Sequence, residues 1–355
     1  MSSNKKSRLR RKDEHIALSL RQKPGLADFS EIHFVHNCLP EQDLNRVTLK
    51  TSLLGMPLRS PLFINAVTGG TPLARRINAA LAETARECGL PMAVGSQMAA
   101  LEHPAVRATF KVVRRVNPHG ITWANLGAYA TPEMAQEAVR MVGASAVQIH
   151  LNAPQELAMG EGDCRFRGNL ERIRAVVQAV DVPVIVKEVG FGIAMEQARL
   201  LLEAGVAAID VGGRGGTNFL SIESGRSGRR LPPDLLNWGL PTAISLIEVL
   251  EAVQGKIPVI AAGGMASSVN MAKALALGAA AVGLAGLPVY LLMNKGQRAL
   301  IREIGRLELD LCRIMLMTGA STLEELRRKP LVITGFTAAW LERRGIDVNK
   351  YARRS

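Results

Sequence analysis

Short apolar runs alternate with amphipathic segments along most of this chain. From Ser60 onward the runs are five or six residues long and bounded by glycine or proline, which is typical of buried strands. They are Pro61–Ala66, Pro91–Gly95, Ile121–Leu126, Ala146–Leu151, Pro183–Glu188, Ala207–Val211, Pro258–Ala262 and Ala280–Ala285. Segments with helical spacing lie between them, at Pro72–Cys88, Val106–Val116, Pro132–Val142, Ala194–Ala204, Thr242–Val253 and Ser268–Leu277.

This alternation predicts an α/β protein, a (β/α)8 TIM barrel with an N-terminal extension and a C-terminal helical segment. We expect residues 1–59 to contribute to the active-site mouth and residues 60–355 to form the barrel. The region Gly212–Leu240 is rich in glycine, arginine and proline, and is expected to be a long loop. A doubly wound sheet is the alternative, but the first predicted turn lacks a nucleotide-binding fingerprint.

Polar side chains gather where the fourth predicted strand ends, on the side of a barrel that carries chemistry. The sequence QIHLNAPQE places His150, Asn152, Gln155 and Glu156 there. One such residue alone would most often be a hydrogen-bonded structural residue. Four together favour a site, in which imidazole and amide groups hold an oxyanion and one carboxylate binds Mg²⁺.

Two glycine turns predict a phosphate site. Strand seven ends at Gly263-Gly264 and strand eight at Ala285-Gly286. Backbone N–H groups and a helix N-terminus can face a phosphate at such turns. Tight packing of a helix against a strand would explain either turn alone, whereas the pair favours a phosphorylated cofactor.

Lys187 ends the fifth strand after a run of apolar residues. A buried lysine needs a partner or a task, and the alternatives are a Schiff base or the stabilisation of an anionic cofactor ring. Ser96 and Asn125 end neighbouring strands and could hydrogen-bond the edge of such a ring. Together with the glycine turns, this is the layout expected for a barrel that binds FMN.

Composition narrows the choice of partners. The formal net charge is +13, but outside the termini and the Arg226–Arg230 loop the charges are dispersed, and aromatic residues make up only 4% of the chain. Both facts argue against a nucleic-acid-binding surface and leave an enzyme for anionic substrates. Four scattered cysteines and the absence of a secretory signal predict a cytoplasmic protein with reduced thiols. The uncharged segment Ala274–Met293 is interrupted by glycines and a proline, so a membrane span is disfavoured.

The chain resembles the type 2 isopentenyl-diphosphate isomerase family from about residue 8 to its C-terminus. The resemblance rests on Arg11-Lys12 with His15 and on a series of short motifs. These are NAVTGG (65–70), AVGSQ (93–97), ANLG (124–127), QIHLNAPQE (148–156), EGDCRFRG (161–168), VPVIVKEVGFG (182–192), GGRGGTNF (212–219), AKALALGA (272–279) and PLVITG (330–335). Many members of the family have arginine where this chain has Met98 and near Met265-Ala266, which weakens the expected anion contacts there.

The resemblance implies an isomerase of isoprenoid biosynthesis that interconverts isopentenyl diphosphate and dimethylallyl diphosphate. It implies FMN, Mg²⁺, NADPH as the flavin reductant, and a homo-oligomer, a tetramer or an octamer. Arg11 and Lys12 would hold the substrate diphosphate with His150 and Asn152, and Glu156 would bind Mg²⁺. The residues implied to hold FMN are Ala66, Val67, Thr68, Ser96, Asn125, Lys187, Thr217, Gly263, Gly264, Ala285 and Gly286.

The reaction implied by this resemblance moves a double bond, adding a proton at C4 and removing one from C2. No carboxylate or cysteine pair in the sequence is evidently placed for both steps. Gln155, His150 and Lys187 are the candidate catalytic residues, with Gln155 beside the substrate. Whether Gln155 or N5 of reduced flavin delivers the proton stays open.

Three other functions fit less well. A flavin hydroxy-acid oxidase needs a histidine base near the last strands, and the strand-seven turn reads GGMASSVN (263–270) without one. A dehydrogenase of the nucleotide type needs a nucleophilic cysteine after strand six, and Gly212–Ser227 contains none. A basic binding protein leaves Lys187 and Glu156 unexplained.

Overall fold

A computed structural model describes residues 12–20 and 24–355. Twelve strands are present in these ranges: β1 Ile32–Phe34, β2 Thr51–Leu53, β3 Met56–Leu58, β4 Leu62–Ile64, β5 Met92–Ala93, β6 Thr122–Gly127, β7 Ala146–Leu151, β8 Val184–Glu188, β9 Ala208–Asp210, β10 Val259–Ala262, β11 Ala281–Leu284 and β12 Leu331–Ile333. Arg11, for which a substrate contact is predicted, lies outside the described residues.

Residues 12–20 form the first helix, α1. The other α-helices are α2 Pro72–Cys88, α3 Met98–Glu102, α4 Ala108–Val116, α5 Pro132–Val142, α6 Ala153–Ala158, α7 Asn169–Ala179, α8 Met195–Glu203, α9 Phe219–Ser227, α10 Pro233–Leu236, α11 Thr242–Val253, α12 Ser268–Leu277, α13 Gly286–Lys295, α14 Gln297–Met317, α15 Leu323–Arg328, α16 Gly335–Arg343 and α17 Asn349–Ala352. Short 3₁₀ turns occupy Leu44–Arg46 and Pro104–Val106.

The strands β4 to β11 pair in parallel and close into an eight-stranded barrel, β11 joining β4 through the pairing of Val282 with Leu62. The predicted (β/α)8 fold is therefore confirmed, and all eight predicted strands form its wall. Helices α2, α5, α11 and α12 have the predicted bounds. α2 and α5 begin where the side chain of Thr71 or Thr131 accepts a hydrogen bond from the N–H of the third helical residue, and both end at a left-handed glycine.

The prediction of a long loop from Gly212 to Leu240 was wrong, because this region contains α9 and α10. The side chain of Asn218 caps α9 by accepting a hydrogen bond from the Ser221 N–H. Helix α9 is weakly amphipathic but buries Leu220 and Ile222 against the rest of the protein. Tertiary packing thus stabilises a helix that the glycine- and arginine-rich sequence does not signal.

The uncharged segment Ala274–Met293 is divided among α12, β11 and α13, as its glycines predict. In the ranges that the structure describes, no helix is long and apolar enough to cross a membrane.

Side chains fill the barrel in two layers of different character. The lower layer is apolar and centres on Phe63 and Trp123, whose rings lie 4.7 Å apart, and the β2–β3 hairpin packs on it through Leu53 and Leu58. Two residues further along each strand, towards its carboxyl end, the inward positions are polar or small because successive side chains alternate between faces. This upper layer consists of Asn65, Gly95, Asn125, Gln148, Lys187, Asp210, Ala262 and Gly283.

The two ends of the described chain meet outside the barrel. β1 pairs antiparallel with β12, Ile32 opposite Ile333. The Glu31 carboxylate accepts hydrogen bonds from the Phe336 and Thr337 N–H groups at the start of α16, both at 2.8 Å. A carboxylate at a helix N-terminus satisfies unpaired N–H groups and is favoured by the helix dipole. The N-terminal and C-terminal segments therefore stabilise each other.

Candidate active site

One cavity of about 360 Å³ opens at the carboxyl ends of the barrel strands. Its walls come from every strand end and from α1, which lies across the mouth. Every predicted site residue within the described ranges lines it: Lys12, Ala66, Val67, Thr68, Ser96, Asn125, His150, Asn152, Gln155, Glu156, Lys187, Thr217, Gly263, Gly264, Ala285 and Gly286. The closed barrel brings these residues together because it gathers all eight strand ends into one rim.

The glycine turns after β10 and β11 form a cradle of the kind that a phosphate fits. Gly263 and Gly264 have left-handed backbones, with φ of 99° and 74°. A Cβ at Gly263 would lie 2.0 Å from the Gly213 carbonyl oxygen, so only glycine fits this close approach. α13 begins at Gly286 without a side-chain cap, so its first N–H groups remain available for an anion.

Lys187 lies in the upper layer of the barrel and is 6% exposed. Among the described residues its ammonium makes one hydrogen bond, to the Glu188 carbonyl oxygen at 3.1 Å. An ammonium carries three donors, so this one has donors left for a group in the cavity. That arrangement fits the anionic ring of a reduced flavin, and with the phosphate cradle it makes the cavity suitable for FMN.

The imidazole of His150 is neutral in this cavity. Burial and then the ammonium groups of Lys187 and Lys12 lower the pKa of His150 to about 3. Its Nδ1 lies 2.9 Å from the Asn125 side-chain oxygen. The sequence predicts His150 as a donor to an oxyanion, so the position of its single ring hydrogen decides whether it can fill that role.

Glu156 is held in place by two neighbours. Its Oε1 accepts from the Asn152 side-chain amide at 2.8 Å, and its Oε2 accepts from the Asp163 backbone N–H at 3.0 Å. Gln155, beside it on α6, is 9% exposed. In the part of the chain that the structure describes, no group of three or more His, Cys, Asp or Glu residues could hold a metal. A Mg²⁺ ion at Glu156 would therefore depend on oxygen atoms of a ligand and on water, which Mg²⁺ commonly retains.

Hydrogen bonds hold α1 over the mouth. His15 Nε2 lies 2.6 Å from Glu223 Oε1, and Arg226 donates to the other oxygen of Glu223 at 2.7 Å. Burial opposes ionisation of Glu223, but the hydrogen bonds from His15 and Arg226 prevail and lower its pKa. Lys12 donates to the Ser96 carbonyl oxygen at 3.0 Å. The motifs identify His15, but nothing in the sequence pairs it with Glu223.

Sequence reasoning also missed the buried polar residues beneath the cavity. Asn65, Gln148 and Asp210 are at most 2% exposed and are joined by hydrogen bonds across the barrel. Burial raises the pKa of Asp210, although Lys187, Asn65 and the Gly212 N–H act in the opposite direction. The available signal was a polar residue inside each of three otherwise apolar runs.

Glu188 follows Lys187 on β8 and is 6% exposed. Its Oε2 accepts from the Phe191 and Gly192 backbone N–H groups at 2.5 and 3.2 Å. Burial raises the pKa of Glu188 to about 8, even though these N–H groups and Lys187 favour the charged form. The carboxyl group therefore holds the turn after β8 while carrying a proton over much of the neutral range.

A protein-family model and several known proteins match the sequence of this chain. The family model described as FMN-dependent dehydrogenase matches residues 19–153 and 115–333. The isopentenyl-diphosphate delta-isomerase of Moorella thermoacetica is 49% identical over 335 residues, covering 94% of this chain and 96% of that protein. The enzyme of the same name from Symbiobacterium thermophilum is 46% identical and covers 98% and 99%, and that from a Geobacillus species is 48% identical and covers 98% and 100%.

Solved structures of mandelate oxidase share the fold. One, a variant with a monooxide FMN adduct, is 20% identical with a TM-score of 0.62 and covers 87% of this chain and 94% of its own. Another, with 3,3-difluoro-2-hydroxy-3-phenylpropionic acid, is 21% identical with a TM-score of 0.64 and covers 91% and 95%. At this level of identity the likeness concerns the barrel alone.

The raised pKa of Glu188 predicts a pH-dependent difference in stability. The folded chain retains the Glu188 proton up to about pH 8, whereas the unfolded chain loses it near the ordinary value of 4.5. The stabilisation is therefore complete below about pH 4.5 and is lost as the pH rises through 8. Relative to Glu188→Gln, the wild-type free energy of unfolding should fall between pH 5 and pH 9, measured by denaturant titration. Glu171→Gln, at an exposed position on α7, should follow the wild type. Parallel curves for wild type and Glu188→Gln would contradict the raised pKa of Glu188.

Proposed function

Because this chain belongs to the isopentenyl-diphosphate delta-isomerase family, within the wider FMN-dependent dehydrogenase family, we propose that it interconverts isopentenyl diphosphate and dimethylallyl diphosphate. The observation that carries the proposal is the single cavity onto which the cofactor cradle and the QIHLNAPQE side chains both open. An anionic cofactor and an anionic substrate would then lie side by side. We expect the enzyme to serve isoprenoid biosynthesis in the cytoplasm as a homo-oligomer, a tetramer or an octamer.

FMN is the proposed resident cofactor. The turns at Gly263-Gly264 and Ala285-Gly286 would receive its phosphate through backbone N–H groups. Lys187 would hold negative charge on the reduced ring, with Ser96, Asn125 and Thr217 at its edges and residues 66–68 beside it. Reduced FMN, when bound, supplies a group that can give and accept a proton without net oxidation, which requires prior reduction by NADPH.

The substrate diphosphate would lie between α1 and the end of β7. Arg11 and Lys12 would neutralise its charge from above, and Asn152 would donate from below. Glu156 would bind Mg²⁺, which would offset the negative charge of the diphosphate. Residues 1–59 would in this way contribute to the mouth of the site and exclude water from the reacting carbons.

Gln155 would lie beside the hydrocarbon part of the substrate. Its low exposure and its position at the wall of the cavity suit a positioning contact. The candidates for the protonating group are still Gln155 and the flavin itself. Lys187 would supply positive charge near the reacting carbons, and His150 would contribute a neutral imidazole.

The barrel shared with mandelate oxidase raises hydroxy-acid oxidation as a second candidate. The corresponding residues argue against it in this chain. Residues 263–270 contain no histidine, and Met265 in this turn is buried. An oxidase site would need a base and an arginine for the substrate carboxylate there.

The direct test is an assay of purified full-length protein with isopentenyl diphosphate, FMN, Mg²⁺ and NADPH. Dimethylallyl diphosphate should form catalytically, and far less than one NADPH should be consumed per product. Mandelate supplied in place of the diphosphate should not be oxidised. No isomer formation, or one NADPH used for each product, would overturn the proposed function.

Lys187→Ala should weaken the binding of reduced FMN about tenfold or more, because it removes the buried cation opposite the anionic ring. Oxidised FMN should lose less affinity, since its ring is neutral. Dissociation constants measured for both redox states under anaerobic conditions give the comparison. Lys111→Ala, which removes an exposed lysine from α4, should leave both constants unchanged. Equal losses in both states would exclude the charge role.

Glu156→Gln should raise the Mg²⁺ concentration needed for half-maximal activity about tenfold, with partial rescue at high Mg²⁺. The substitution removes a charge but keeps the shape of the side chain, so FMN affinity should be unaffected. Asp163→Asn is the matched control, because it removes a nearby carboxylate charge and keeps the backbone N–H that orients Glu156. Lower activity with unchanged Mg²⁺ dependence would show that Glu156 is not the metal ligand.

A further inference from the structure

A chain of buried amide groups crosses the barrel beneath the cavity. It begins at Asn65, after β4, and passes through Gln148 on β7 to Asn125 on β6. From there it returns to β7 at His150. Asn65, Asn125 and Gln148 are at most 2% exposed, so a polar atom left without a partner there would be destabilising. Each amide must therefore present its oxygen and its nitrogen to complementary neighbours.

The orientation of the first amide is fixed by a group that cannot be inverted. The backbone N–H of Ala66 donates to the Asn65 side-chain oxygen at 2.8 Å. A backbone N–H is always a donor, so this atom of Asn65 is the oxygen. The nitrogen of Asn65 then donates to Asp210 Oδ2 at 2.7 Å. Both contacts select the same orientation of Asn65.

That orientation determines the next two amides. The Asn65 oxygen also accepts from Gln148 Nε2 at 3.0 Å, which leaves the Gln148 oxygen directed towards Asn125. The Asn125 nitrogen donates to this oxygen, again at 3.0 Å. The Asn125 oxygen therefore faces His150 Nδ1 at 2.9 Å. An amide oxygen can only accept, so Nδ1 must carry the hydrogen of the neutral ring.

We propose that the relay from Ala66 N–H and Asp210 through Asn65, Gln148 and Asn125 fixes His150 as its Nδ1–H tautomer. The lone pair of Nε2 is then offered to the cavity, which His150 lines. Asn65, Gln148 and Asp210 are positioning residues in this scheme, because they act on the ligand through His150. Strand register makes the relay possible by pairing Asn125 with Gln148 and Gly127 with His150.

What the inference says about the ligand rests on the proposed function. It changes the role predicted for His150 from a hydrogen-bond donor to an acceptor. A ring with its hydrogen on Nδ1 cannot donate from Nε2 to an ionised phosphate oxygen. The ligand atom that meets Nε2 must carry a hydrogen, as a protonated phosphate oxygen or a bridging water does. The ammonium groups of Lys12 and Lys187, which also line the cavity, supply the charge that this imidazole lacks.

The tautomer can be read directly from ¹⁵N NMR of the full-length chain with labelled histidine, with and without FMN. The His150 signals are assigned by their absence in His150→Gln. The wild type should show a protonated Nδ1 and an unprotonated Nε2. A protonated Nε2 in the wild type would overturn the proposal. The spectrum needs no substrate, so its outcome is independent of whether isomerase activity is found.

Two substitutions at one position test whether the relay sets the tautomer. In Gln148→Glu a protonated carboxyl can donate its O–H to the Asn65 oxygen and accept from the Asn125 amide, so the wild-type spectrum should persist. The methionine side chain in Gln148→Met is similar in size but lacks an amide. The Asn125 side-chain amide can then rotate by a half-turn, so the Nε2–H form should appear. An unchanged spectrum in Gln148→Met would show that the tautomer is set locally. If that variant does not fold, Asn65→Ala tests the same link, because Gln148 is then able to turn over.

Gln148→Met and Gln148→Glu also distinguish an effect of the His150 tautomer on catalysis from an effect of packing. If isomerase activity is present, kcat/KM should fall about tenfold or more in Gln148→Met and recover in Gln148→Glu, as expected when the wrong tautomer is populated. Equal losses in both variants, with the Nδ1–H spectrum retained in Gln148→Glu, would refute the tautomer as the cause.

Discussion

The site depends on burying polar side chains in the middle of a closed parallel barrel. Every inward position at one level of the wall is polar or small, and each polar group must find a partner that is not water. The register of adjacent strands supplies those partners, as when Asn125 on β6 lies opposite Gln148 on β7 and donates to its side-chain oxygen. Gly283 contributes by being small, since a Cβ there would lie 2.7 Å from the Asn65 side chain. The apolar layer around Phe63 and Trp123 supports this polar level from below.

The electrostatic character of the cavity follows from the same level. Lys187 from the wall and Lys12 from α1 direct two cations towards one space, and burial together with these cations keeps His150 neutral. The net charge of the chain says little about this, because most of its cations are dispersed over the surface. What matters for an anionic ligand is that a few charges are held in a confined, largely desolvated cavity, where they interact more strongly than in water.

The architecture was predictable from local pattern, whereas the connections within the site were not. Short apolar runs between glycine and proline residues define the strands, and threonine and glycine caps define the ends of α2 and α5. The relay could not be predicted, because it depends on which strand neighbours which and on their relative register. The same holds for His15 and Glu223, which are 208 residues apart in sequence.

Helix α9 was missed because burial of Leu220 and Ile222 stabilises it, and burial is a property of the whole fold. Many members of the family have an arginine at the position of Met98 and another near the position of Met265. In this chain both methionines are buried, with 5% and 3% of their surface exposed.

The segment between α1 and the barrel can fold only late in the synthesis of the protein. Ala27 donates its N–H to the Gly264 carbonyl oxygen and accepts from the side chain of Asn270, 243 residues later. β1 has its only sheet partner within the described residues in β12, which is later still. A growing chain presents residues 24–34 long before those partners exist, so contacts of such long range cannot form during most of translation. Residues 24–34 are synthesised early, but they can form these contacts only after the last barrel units and β12 have been synthesised. Docking of residues 24–34 against the barrel is therefore coupled to synthesis of the C-terminal part of the chain.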